Sequence, residues 1–345
     1  MVKRTRDEAG LSRGKHVGAA NICGFGAARL AVGFALQRGN VCSVLAARQI
    51  AWTGRWSRLQ GLLLASAWAF AVILGAAWIG AGPFMPSGQF PLSFLPVIGG
   101  ALYAFGCYVN GACIFGVCSR LTAGNMSFIF AIPGMAAGAT LAELARISPS
   151  VSQLQPSLAA EPNSFLIAFW LAVVALLAWM VWRMVRVHWR ANITLANLLR
   201  QSRWRSTLAA AIIGAIGGLL FATDVPWIYP ALIRRVAFYI AGTRADFPLE
   251  TIVGSSSLFL GGIVAAGYHG RFVFRAPHQL PALQSLLGGV IMGFAWAMIP
   301  GGNDAMVLYL VPSLAVHGIL AYLAMLITLI GLESLKRRGL LSTQS

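Results

Sequence analysis

The sequence predicts an all-α fold, a polytopic bundle of transmembrane helices arranged as two inverted repeats. Three observations carry that reading. Of the 345 residues, 58% are hydrophobic and only 10% charged, against roughly 25% charged in soluble domains. Apolar stretches long enough to cross a bilayer consume nearly the whole chain. Segments of the first half also recur, in order, in the second.

Crossing the hydrocarbon takes roughly 20 predominantly apolar residues. Nine stretches qualify, at about 17–37, 61–82, 94–112, 127–145, 164–187, 207–222, 251–268, 283–300 and 306–331. The first contains Arg29, which would cost roughly 2.5–3.5 kcal/mol at a helix centre. It should therefore face the protein interior or sit nearer an end. A signal peptide is the competing reading of residues 1–37, but no small-x-small cleavage site follows, so the segment is read as retained. The 38 glycines suit close helix packing in a bilayer.

The net charge of +17 would suggest nucleic acid in a soluble protein. In a membrane protein Lys and Arg gather in the cytoplasmic loops, and no nucleic-acid partner is expected. With the N-terminus outside, 16 basic residues lie inside and 9 outside. The loops after the second and eighth spans hold neither Lys nor Arg. The expectation is N-out, C-in in a bacterial inner membrane, with the lipid bilayer as partner. The basic tail (Lys3, Arg4, Arg6, Arg13, Lys15) argues the other way.

Segment 42–54 resembles 229–242 at an offset of 187, which pairs Arg48 with Arg235 and Gly75 with Gly262. Segment 99–116 matches 288–305 at an offset of 189. Spans one to four then form one copy, about 17–146, and spans six to nine the other, about 205–331. The fifth span, 164–187, links them within a single membrane domain, 1–345. One intervening span makes the second copy enter from the opposite face, as in many transporters. The short segments at about 42–53 and 228–241 are too brief to cross comfortably and read as re-entrant or interfacial half-helices.

A site at the repeat interface is expected where helices are interrupted, since freed backbone groups survive in a membrane only inside protein or along a cavity. Two Gly-rich breaks qualify: Asn110-Gly111-Ala112-Cys113 and Pro300-Gly301-Gly302-Asn303-Asp304. The predicted substrate path comprises Cys42, Asn110, Gly111, Cys113, Gly301, Gly302 and Asn303. Helix N-termini favour small anions, and a thiol is a weak, soft donor. Weak sequential contacts suit conduction. Asn110 either lines the path or satisfies broken backbone. Asp304 either repels an anion from the path or caps the following helix. Arg48 and Arg235 either attract anions or reflect positive-inside loops or helix-end snorkelling. Cys23, Cys107 and Cys118 read as small hydrophobes. His269, His278 and His317 are scattered, and neither a metal nor a cofactor is expected.

Residues GFALQRGNVCSVLAARQI (33–50) and FGCYVNGACIFGVCSRLTAGN (105–125) resemble two signature blocks of the YeeE/YedE family of sulfur-compound transporters. GGIVAAGYHGRFVFRAP (261–277) and GGVIMGF with the later GGN (288–303) resemble its second-half blocks. The resemblance runs from about 17 to 330, with the blocks in order. It implies an hourglass-shaped thiosulfate transporter in which three cysteines pass the ion along by S–H···S contacts. By that resemblance Cys42 matches the first cysteine and Cys113 the second, while Gly302 replaces the third. With that thiol absent, a different sulfur species or another small anion stands beside thiosulfate as the expected cargo.

The expected function is a permease for a small sulfur-containing anion, thiosulfate first, and not an enzyme. No nucleotide-binding loop, paired-carboxylate site or nucleophile triad is present in the sequence. The alternative is a sulfur-trafficking subunit that hands persulfide sulfur to a small cytosolic carrier protein. That reading needs a reactive cysteine open to the cytoplasm.

Overall fold

A computed structural model describes residues 19–80, 86–147, 154–190, 204–223, 227–242, 247–268 and 270–340. The basic tail, Arg200, Arg203, Arg244 and His269 lie outside the described residues. Among the described residues the regular elements are all helices, joined by loops that carry the isolated bridges Gln89–Gln155 and Asn125–Arg275.

The first half comprises α1 (Ala19–Gly39), α2 (Ser43–Thr53), α3 (Ser57–Trp78), α4 (Leu95–Asn110), α5 (Ile114–Thr122) and, after a 3-10 turn, α6 (Ala131–Leu144). Helix α7 (Ser164–Arg190) follows. The second half comprises α8 (Ser206–Ala222), α9 (Tyr229–Ile240), α10 (Leu249–Gly267) and α11 (Gln279–Met298). It ends with α12 (Asn303–Ala305), which widens into a π turn (Met306–Leu310), and α13 (Val316–Arg337).

Among the described residues, eight segments are long and apolar enough to cross a membrane, and α8, at 17 residues, is a shorter apolar helix. The last span differs from expectation: it begins at Val316, not 306. Residues 303–310 form a separate short element. Leu314 then takes a left-handed conformation (φ 52°) and breaks the chain before α13. The stretch is apolar on both sides of that break, so composition did not mark it. Helix α5 was hidden for the same reason.

Helix contacts come in reciprocal pairs. Helix α1 packs on α10 while α3 packs on α8, and α4 packs on α13 while α6 packs on α11. Helix α2 touches α3 and α13, and α9 touches α10 and α6. Small residues permit the closest pairing. Gly134 and Gly138 of α6 lie against the Leu286 and Val290 carbonyls, and Gly289 and Gly293 of α11 against those of Ala131 and Met135. Each helix thus presents a G-x-x-x-G face, which lets two backbones meet in a bilayer. Any side chain there would collide with backbone.

Helix α7 stands apart. Only 11% of its apolar window is buried, and Phe165, Leu171 and Trp182 are exposed. It touches α3 through Trp170, whose Nε1 donates to the Ala71 carbonyl at 2.9 Å. Arg29, by contrast, faces inward as expected: it is 2% exposed, and its Nη1 donates to the Glu250 carbonyl at 3.1 Å.

Candidate functional site

The site forms where three short helices begin. Cys42 is the N-cap of α2, Cys113 of α5 and Gly302 of α12. All three caps have extended backbone, and Cys113 (φ −81°, ψ 178°) and Gly302 (φ −87°, ψ −175°) nearly coincide. None makes a side-chain cap hydrogen bond. The sequence sets these starts by ending the preceding helices. Helix α4 stops because Gly111 adopts φ +73°, a left-handed geometry that suits glycine. The Asn110 amide holds the bend by donating to the Ala112 carbonyl at 2.8 Å, while its Oδ1 accepts from Ser285 Oγ at 2.7 Å. Asn110 therefore serves the broken backbone. After α11, Pro300 takes φ 32° and the Gly301 N–H returns to the Trp296 carbonyl.

These turns bring the two thiols together. Cys113 Sγ donates to Cys42 Sγ at 3.5 Å, with Cys113 fully buried and Cys42 3% exposed. Two further donors converge on the Cys113 sulfur: the Ser43 N–H at 3.4 Å and Asn303 Nδ2 at 3.6 Å. Ser43 Oγ donates to Asn303 Oδ1 at 2.9 Å, and the Asn303 N–H donates to the Tyr103 hydroxyl at 3.4 Å. The cluster thus joins both halves of the chain around one sulfur atom. Packing is tight, since a Cβ on Gly116 would stand 2.8 Å from Cys42 Sγ.

Four sequence-predicted residues meet here: Cys42, Cys113, Gly302 and Asn303. Arg48 does not join them. Its Nη2 pairs with Glu333 of α13 at 3.1 Å, and Trp52 Nε1 donates to the same carboxylate at 3.2 Å. Arg235 stands on α9, about 9 Å along the axis from Tyr229 by helical rise. Cys107 and Cys118 are buried in the core. Asp304 is not an N-cap, which corrects the capping expectation. The extended cap residue is Gly302, two positions earlier, so Asp304 lies inside the first turn.

Ser43, Tyr103 and Tyr229 were missed by sequence reasoning. Tyr229 bonds to the Ile114 carbonyl through its hydroxyl at 2.8 Å, tying α9 to the first turn of α5. A signal for it existed: the offset of 187 that pairs Arg48 with Arg235 also pairs Cys42 with Tyr229. Ser43 and Tyr103 carried no such mark.

Chemically, the arrangement presents soft and neutral donors to a sulfur atom at the N-termini of α2 and α5. Helix N-termini favour negative charge, and weak thiol donors hold a polarisable anion without trapping it.

Comparison with known proteins fits this chemistry. Residues 38–330 match the family described as Sulphur transport. The chain is also 27% identical over 306 residues to the thiosulfate transporter TsuA of Escherichia coli (strain K12), covering 79% of this chain and 82% of the relative. The protein is an integral membrane protein and belongs to the Sulphur transport (YeeE/YedE) family.

Proposed function

We propose that the protein is a permease for thiosulfate or a closely related sulfur anion, conducted between the N-termini of α2 and α5. The carrying observation is the 3.5 Å approach of Cys42 and Cys113, with the Ser43 N–H and the Asn303 amide already aimed at sulfur. In transit, the anion replaces the Cys42–Cys113 contact: each thiol donates to it in turn, and Asn303 holds it laterally. Because the thiols touch and are buried, conduction requires the two half-helices to part.

The reciprocal helix contacts support two inverted repeats of about 17–146 and 205–331, joined by α7. Their interface holds the site. Parting of the repeats would open it first to one face and then to the other. Placement in the inner membrane with the N-terminus outside follows from the charge asymmetry of the loops.

Uptake of labelled thiosulfate by cells expressing the protein, with sulfite, sulfate and selenite as competitors, tests the reading. Thiosulfate uptake that Cys113→Ala abolishes is the expected result. Uptake unchanged in that variant removes the thiols from the path. The persulfide-transfer alternative needs a cysteine open to the cytoplasm, and burial of Cys42 and Cys113 counts against it. Rapid labelling of Cys42 by a bulky impermeant thiol reagent would revive it.

A further inference from the structure

We infer that Asp304 acts in its protonated form as the third donor of the path, making thiosulfate uptake depend on a proton held at this carboxyl. The inference rests on the thiosulfate reading above. The starting point is Gly302, which has the backbone conformation of Cys113 and likewise begins a short element after a glycine break. A side chain at Gly302 would project where Cys113 projects from its own cap. That place is not vacant: a Cβ built on Gly302 would lie 2.5 Å from Asp304 Oδ1, 2.5 Å from Ile114 Cδ1 and 3.6 Å from the Tyr103 hydroxyl. The Asp304 carboxyl, beside the Ile114 methyl, is thus the polar group at the position of the missing side chain.

Asp304 is 2% exposed, and its Oδ1 has no hydrogen-bond partner. Its hydrogen-bonding neighbours are the backbone N–H groups of Asp304 and Ala305. The preceding residue, Asn303, donates to Cys113 Sγ, so the carboxyl borders the same cluster. The titratable groups facing it are Tyr103 of α4 and Tyr229 of α9. Cys107 of α4, Cys113, Cys42 and Tyr322 of α13 belong to the same buried core. Tyrosine and cysteine ionise only to anions, so they supply no counter-charge.

A buried carboxylate with an open oxygen and no cation is costly. Bringing an anion beside it would add like-charge repulsion. The neutral acid reverses both terms: it removes a buried charge and supplies an O–H donor, stronger than a thiol, at the open oxygen. The proton binds before the anion and leaves once the anion has passed. Anion and proton are thereby linked, and uptake rises as external pH falls.

The test is initial-rate thiosulfate uptake by proteoliposomes from pH 5.5 to 8, for the wild-type protein, Asp304→Asn and Asp304→Ala. Size-exclusion chromatography in detergent checks that each is folded. Wild-type uptake should increase toward acid. Asp304→Asn, which keeps the shape and donates at every pH, should transport with a flat profile. Asp304→Ala, lacking a donor, should fall about tenfold or more, as expected for a lost hydrogen bond to a charged partner. A wild-type rate that ignores pH, an Asp304→Asn protein that keeps the wild-type profile or is inactive though folded, or full uptake by Asp304→Ala would each overturn the inference. Absence of wild-type thiosulfate uptake at every pH would instead contradict the proposed function.

Discussion

The two glycine breaks solve one geometric problem with different chemistry. At 110–113 the chain turns through a left-handed glycine and presents a thiol, with Asn110 absorbing the loose carbonyl. At 300–304 it turns through Pro300 and presents no side chain at all, and a carboxyl from the next turn fills the gap beside the Ile114 methyl. Sites 42 and 229 differ in the same sense: one supplies a thiol, the other a tyrosine that ties helices together. Both thiols lie in the first half, while the second half supplies an amide, a carboxyl and a tyrosine brace. The comparison teaches that a repeat can preserve backbone geometry while dividing the labour of its side chains.

The largest effects should come from the first break. Cys113→Ala removes the sulfur on which three contacts converge and should lower thiosulfate uptake more than tenfold, measured as initial rate per folded protein. Tyr229→Phe, at the second-half position that pairs with Cys42, should keep at least half of the wild-type rate. A reversed order would break the comparison.

Structural crowding should show next. Gly302→Cys places a Cβ against both Asp304 Oδ1 and Ile114 Cδ1, and overpacking of this kind costs about 1–3 kcal/mol. Thermal unfolding in detergent should register that loss, and adding Asp304→Ala should recover part of it. A single variant as stable as wild type would show that the second break is looser than the first.

Smaller still is the tether at the far end of α2. Arg48→Ala leaves the buried Glu333 without its cation. Losing one partner of a fully buried pair costs about 3–5 kcal/mol. Arg48 is 43% exposed, so screening reduces the expected loss to about 1 kcal/mol. Trp52 still donates to the carboxylate. Replacing Glu333 by Gln alongside should restore most of that stability, read from the unfolding midpoint.

Much of this was legible in the sequence, for identifiable reasons. Membrane spans announce themselves through composition: eight of the nine expected stretches each fall mainly on one helix, and the ninth divides into a short element and α13. Cys42, Cys113, Gly302 and Asn303 were visible because thiols and glycine breaks are rare signals in apolar sequence. Helix α5 and the element at 303–310 were not, because an apolar half-helix and an apolar span read alike. The choices left open at Asn110 and Asp304 depended on which neighbour each side chain meets. Asn110 is claimed by Ser285, 175 residues away, and no local pattern encodes that meeting. Asp304 missed the cap by two positions, a shift set by the extended backbone at Gly302.

The central claim is that the Cys42 and Cys113 thiols form the narrowest part of the path. It is tested most directly by methylthiolating them in proteoliposomes whose remaining cysteines are replaced by alanine, with mass spectrometry to confirm modification. Thiosulfate uptake should stop, excess thiosulfate should slow the modification, and a reducing agent should restore transport. Full uptake with both sulfurs modified would contradict the account.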